Sequence, residues 1–188
     1  MVHIVPIGID CGVADILRKH GKRTAAFPFD WNVSYGGVSK IIQDKFSKYI
    51  PADKNWCAYY GTSFNHDTFP EATDKYKRRI ERLLHLLETT PEQVTFIRKC
   101  HARHNHEEPY ADYLCDEIQD AIMLDKVLAE HYSQLKYKIV VIVICNKCCS
   151  KDKDYSVDSE RIKLYNIVCD MLCDEVKLAE IVLQETNM

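Results

Sequence analysis

The stretch YKIVVIVI, Tyr137–Ile144, narrows the choice of fold more than any other part of the chain. Its core is apolar at consecutive positions rather than at alternate ones. A strand of that kind is buried on both faces, as in a parallel sheet covered by helices. The rest of the chain supplies the covering. An apolar run at His3–Ile9 leads through a short polar turn into a helix over Val13–His20, and Gly21 follows as a helix stop. Val38, Ile41, Ile42, Phe46 and Tyr49 repeat at helical spacing and predict a second helix that ends before Pro51.

Trp56–Tyr60 is aromatic and reads as a short strand. Glu71–Glu88 is the clearest helix, with Tyr76, Ile80, Leu83, Leu84 and Leu87 on one stripe. Lys75, Arg78, Arg79 and Arg82 crowd the rest of it. Such a run is a solvated face more often than a phosphate site. VTFI at Val94–Ile97 reads as a buried strand, followed by the polar loop RKCHARHNHEE. Pro109 then opens a helix with Leu114, Ile118, Ala121, Ile122 and Leu128 on its stripe. A last amphipathic helix is expected over Glu160–Leu183, with Tyr165, Cys169, Leu172 and Val176 inward. This alternation predicts an α/β layered fold, a largely parallel central sheet flanked by helices, in a single domain over residues 1–188.

The net charge of −3 gives no electrostatic reason to expect nucleic acid or an acidic membrane as a partner. Asp10, Arg18 and Lys19 interrupt the early apolar run, so no signal segment is expected. No apolar run is long enough to span a bilayer. The nine cysteines are odd in number and irregular in spacing. They point to free thiols in a reducing compartment, the cytoplasm, rather than to a disulfide framework.

In a parallel sheet, ligands collect outside the carboxyl ends of the strands. Three loops leave those ends: the turn with Asp10 and Cys11, the loop from Cys100 to Glu108, and the loop from Cys145 to Cys149. Cys11 sits at a strand-to-helix turn, where free N–H groups and the positive helix end favour thiolate. The competing reading is a buried cysteine that fills core. A thiol nucleophile needs a base, and His66 in FNHD has the best loop setting of the eight histidines. Asp67 is poorly placed to orient its own neighbour. Asp30, among Phe27, Pro28, Phe29 and Trp31, is the better orienting carboxylate or else a turn aspartate. N–H groups around Gly12 would hold an oxyanion.

A zinc site is the alternative chemistry. Cys100, His101, His104 and His106 form one cluster of ligand types, and Cys145, Cys148 and Cys149 form another. The repeated C-x-x-C pattern of a zinc ribbon is absent, so no cofactor is the first expectation. The chain also lacks a P-loop, G-x-G-x-x-G, H-E-x-x-H and G-x-S-x-G.

The combination of IGIDCGVADILRKHG, AFPFDW, FNHD, YKRRIERLLHLL and VTFIRK resembles an uncharacterised family labelled papain-like cysteine peptidases, found in bacteria and large DNA viruses. The resemblance covers roughly residues 1–145 and rests most specifically on PFDW after a G-x-x-C turn. It implies Cys11 as nucleophile, His66 as base, Asp30 and Asp67 as acidic candidates, and a protein or peptide substrate. For a viral member the compartment would be the host cytoplasm. The alternative function is a non-catalytic α/β module whose sheet edge binds a nucleotide, a sugar or a protein.

Overall fold

A computed structural model describes residues 2–101, 117–146, 157–169 and 175–186. Its strands are β1 (His3–Pro6), β2 (Val33–Ser34), β3 (Trp56–Cys57), β4 (Thr62–Ser63), β5 (Gln93–His101), β6 (Lys136–Asn146) and β7 (Ile162–Cys169). Its helices are α1 (Gly12–Lys19), α2 (Ser39–Gln43), α3 (Thr73–Thr89), α4 (Glu117–His131) and α5 (Glu175–Thr186). The main sheet has the order β1-β5-β6-β7, and every pair in it is parallel, with His3 opposite Val94, Gln93 opposite Lys136 and Ile139 opposite Ile162. The α/β fold with a parallel central sheet is therefore as the apolar run of β6 predicts. A second, small antiparallel sheet has the order β2-β4-β3, and Ser34 of β2 donates its N–H to Ile9 O at 3.0 Å.

Alternation along the strands sends side chains to two cores. Val5, Phe96, Val141 and Val143 pack with α3 and α4 through Tyr76, Leu83, Leu124 and Leu128. Ile4, Ile97, Val140 and Ile142 pack with α1 and α5 through Val13, Leu17, Leu178 and Val182. The aromatic positions of PFDW and α2 belong to the first core: Phe29 meets Phe46 at 5.5 Å and Tyr49 at 5.8 Å between ring centroids.

Two long-range carboxylates tie elements together. Asp120, in the first turn of α4, accepts from the N–H groups of Val38 (2.8 Å) and Ser39 (3.2 Å) and from the Ser39 hydroxyl, so it caps α2 from another helix. Gly37, at φ +81°, makes room for it; a Cβ there would lie 2.5 Å from the carboxyl. Glu185 of α5 is buried and takes Lys138, Lys163 (2.9 Å) and the Tyr165 hydroxyl.

Four local expectations are corrected. The segment expected as one helix over Glu160–Leu183 divides into β7 and α5. Strand β6 is buried and needs hydrogen bonds along both backbone edges; β7, with β-branched Ile162, Ile167 and Val168, supplies the second. Val176 is consequently 68% exposed rather than inward. Strand β5 continues through Arg98, Lys99 and Cys100, where a polar loop was expected, because β6 extends far enough to pair with it. Helix α2 is short, and Lys45 and Phe46 leave it at positive φ. On α3, Arg79 is buried over the Tyr76 ring and Arg82 donates to the Ala26 carbonyl, so the basic run is not simply a solvated face. The Pro109 helix start lies outside the described residues. Among the described residues no helix is long and apolar enough to cross a membrane.

Candidate active site

The backbone beyond β1 stays zipped to β5. The N–H groups of Ile7 and Ile9 donate to the carbonyls of Ile97 (2.9 Å) and Lys99 (2.7 Å), and Lys99 N–H returns to Gly8 O at 3.0 Å. Arg98 locks this exit on one face. It is buried, donates to Ile7 O (2.7 Å) and Ser34 O (2.9 Å), and forms a forked ion pair with Glu117. Gly8, at φ +94°, passes close to it; a Cβ would lie 2.5 Å from Arg98 Nη1. One residue along β5 the side chain points to the opposite face, so Lys99 meets the turn carrying Asp10, Cys11 and Gly12.

Cys11 is the N-cap residue of α1 and is half-buried, outside any disulfide. Asp10 organises its surroundings. One carboxylate oxygen accepts from Gly12 N–H at 2.8 Å, and the other holds Lys99 Nζ at 2.5 Å. The N–H groups of Val13 and Ala14 have no intrahelical partner, and the Cys11 side chain makes no capping bond. The expected stabilisation of thiolate is reversed here. Burial pushes the Cys11 thiol above its ordinary value, and the charge of Asp10 adds to the push. The residue's own N–H and the Lys99 ammonium act the other way without prevailing. The expectation weighed the helix end and left out the carboxylate beside the sulfur.

His66 lies in the exposed loop after β4, and its ring stands edge-on to Trp31, with centroids 5.9 Å apart. Arg18 and Arg23 lie over the same indole, at 5.9 and 5.6 Å. Arg18 is seven residues beyond Cys11, about 10 Å of helix rise. Among the described residues no hydrogen bond joins His66 to Cys11, Asp30 or Asp67. Asp30 is buried in its turn; one oxygen takes Arg23 Nε (3.0 Å), Arg23 Nη2 (2.5 Å) and Phe27 N–H (3.1 Å). Its other oxygen and Arg79 Nη1 have no hydrogen-bond partner among the described residues. Burial raises the Asp30 carboxyl, against the pull of Arg23. Asp67 takes Lys75 and the Tyr76 hydroxyl (3.0 Å). The structure thus joins Asp10, Cys11, Gly12 and Lys99 in one place, and sets His66 and Trp31 in another.

Among the described residues, no group of three or more His, Cys, Asp or Glu side chains is placed to hold a metal. Cys100 is buried in β5, while His104, His106, Cys148 and Cys149 lie outside the described residues. Of His101 and Cys145 only the backbone, in β5 and β6, is described. Sequence reasoning missed Lys99 and Arg98 because it ended the strand at Ile97. Continued alternation through FIRK would have put one cation on each face.

This is a parallel α/β protein with a half-buried thiol at the amino end of its first helix, beside an ion pair on the carboxyl edge of the sheet. A protein family described as putative papain-like cysteine peptidase matches residues 2–58 and 56–147. The chain belongs to that family. No curated protein and no solved structure matches it.

Proposed function

We propose that the chain is a thiol hydrolase acting on peptide or isopeptide carbonyls, with Cys11 as its nucleophile. The observation that carries this reading is Cys11 as the N-cap residue of α1, next in the chain to Asp10, which holds Lys99. The sulfur would form a bond to the carbonyl carbon while the carbonyl π pair moves to oxygen. The thiol proton would pass to His66 and then to the departing amine as the C–N bond breaks. Water would hydrolyse the thioester, releasing the acid and restoring the thiol.

In the resting arrangement Asp10 occupies Gly12 N–H and neutralises Lys99. Release of that carboxylate on substrate binding would do three things together. It frees Gly12 N–H for the oxyanion alongside Val13 and Ala14, removes the charge that opposes thiolate, and leaves the ammonium to stabilise sulfur. His66 has an exposed ring with no hydrogen-bond partner among the described residues, so it is available to be carried to the thiol by its loop. Asp67, the residue after His66, and Asp30, whose partner Arg23 lies over Trp31, would act as positioning residues. Hydrolysis of a peptide thioester by wild type, Cys11→Ala and His66→Gln tests the assignment. Loss in both variants is expected; full activity in Cys11→Ala overturns it.

A second reading is favoured by the raised thiol and by the lack, among the described residues, of an imidazole bonded to it. In that reading the sheet edge binds a ligand without covalent chemistry, and Asp10 and Cys11 are structural. Ligand binding that survives in Cys11→Ala, with no thioester hydrolysis by wild type, would select it.

A further inference from the structure

A groove of about 500 Å³ runs between α1 and α5, and its inner end is formed by Gly12 and Lys99, the two residues that flank the thiol. Ile16 lines it from α1, and Val176, Ala179 and Leu183 line it from α5. All four are partly exposed, Val176 to 68%, so apolar surface stands open to solvent beside the reactive group. Asp15, Lys19, His20, Glu175 and Glu180 also line it, so charges of both signs border the apolar surface. Resting on the thiol-hydrolase reading, we propose that this groove is the acyl-side subsite, and that it takes the aliphatic side chain of the residue carrying the scissile carbonyl.

Three observations fix the occupant. Gly12 and Lys99, the neighbours of Cys11, line the groove, so a side chain seated there lies next to the carbonyl that Cys11 would attack. Ile16 of α1 and Val176, Leu178, Ala179 and Leu183 of α5 give it an aliphatic floor that removes an apolar side chain from water, with charged side chains around it. Its volume falls in the range of a small-molecule pocket and exceeds the needs of a single leucine or isoleucine side chain.

The probes are leucyl and glycyl chloromethyl ketones and iodoacetamide, with the rate of Cys11 alkylation read by mass spectrometry. The sulfur bonds to the reagent methylene, chloride leaves and the thiol proton goes to solvent. The leucyl reagent should react about tenfold or more faster than the glycyl one. Val176→Asp, at an exposed position that does not endanger folding, should abolish that preference, bringing the ratio of leucyl to glycyl rates to about one. Equal leucyl and glycyl rates, both above that of an unfolded thiol, overturn the groove assignment and leave the nucleophile standing. Rates no higher than an unfolded thiol with every reagent overturn the hydrolase reading and the subsite with it.

Discussion

Asp10 holds Lys99 at 2.5 Å with one carboxylate oxygen while the other takes the first N–H of α1 at 2.8 Å. The Gly12 N–H, the ammonium and the carboxylate are thus engaged with one another beside the thiol. Burial and the Asp10 charge keep Cys11 protonated in this arrangement.

Replacing that charge should activate the sulfur. Asp10→Asn keeps an oxygen for Gly12 N–H but removes the negative charge and leaves Lys99 unpaired. Both changes favour thiolate, so the Cys11 pKa falls. Each unit raises the thiolate fraction about tenfold below the pKa. Iodoacetamide labelling at neutral pH should therefore quicken several-fold over wild type, and an unchanged rate would dissociate Asp10 from the thiol.

The exit of β1 depends on one buried guanidinium. Arg98→Lys cannot reproduce the fork to Glu117 together with the bonds to Ile7 and Ser34. A loss of about 3 kcal/mol is expected, as for breaking a buried pair. Gly8→Ala should cost about 2 kcal/mol, through its positive φ and its approach to Arg98. Urea midpoints would measure both, and wild-type midpoints would contradict this account.

Two buried carboxylates should make stability depend on pH with opposite signs. Burial raises Asp30, so its folded form binds its proton more tightly than the unfolded chain, whose value is 3.8. Stability from Asp30 is therefore present in acid and is lost as pH climbs from the unfolded to the folded value. Burial also works against ionised Glu185, but Lys138, Lys163 and Tyr165 prevail and lower it below 4.5. Its contribution is present above that value and is lost as pH falls through the folded one. Unfolding curves of Asp30→Asn and Glu185→Gln across the acid range should differ from wild type in these opposite senses.

The fold was legible in the sequence where burial alone decides it. Strand β6 announces itself by consecutive apolar residues, and the β1 turn into α1 by a sharp change of period. The alternation of elements then yields a parallel sheet. Strand β7 was hidden because Tyr165, Cys169 and Val176 satisfy a helical period, while the need for a partner on the open edge of β6 is tertiary. The turn bearing Cys11 was also legible, but its electrostatics were not. Lys99 belongs to a strand far along the chain, and only parallel pairing brings it to Asp10. The edge-on contact of His66 with Trp31 had no local signal either, since the two residues come from separate loops.

His66 separates the chemical reading from a structural one. His66→Gln should lower thioester turnover about a hundredfold or more, as loss of a general base does, while iodoacetamide labelling of Cys11 and the urea midpoint stay at wild-type values. Turnover unaffected by the substitution would remove His66 from the reaction.

Covalent capture tests the nucleophile most directly. Wild-type protein mixed with a peptide thioester and quenched in acid is digested and weighed by mass spectrometry. The account predicts a transient acyl group on Cys11, absent from Cys11→Ala and decaying as free acid appears. An acyl group found only on other residues, or acid released at the same rate by Cys11→Ala, would contradict it.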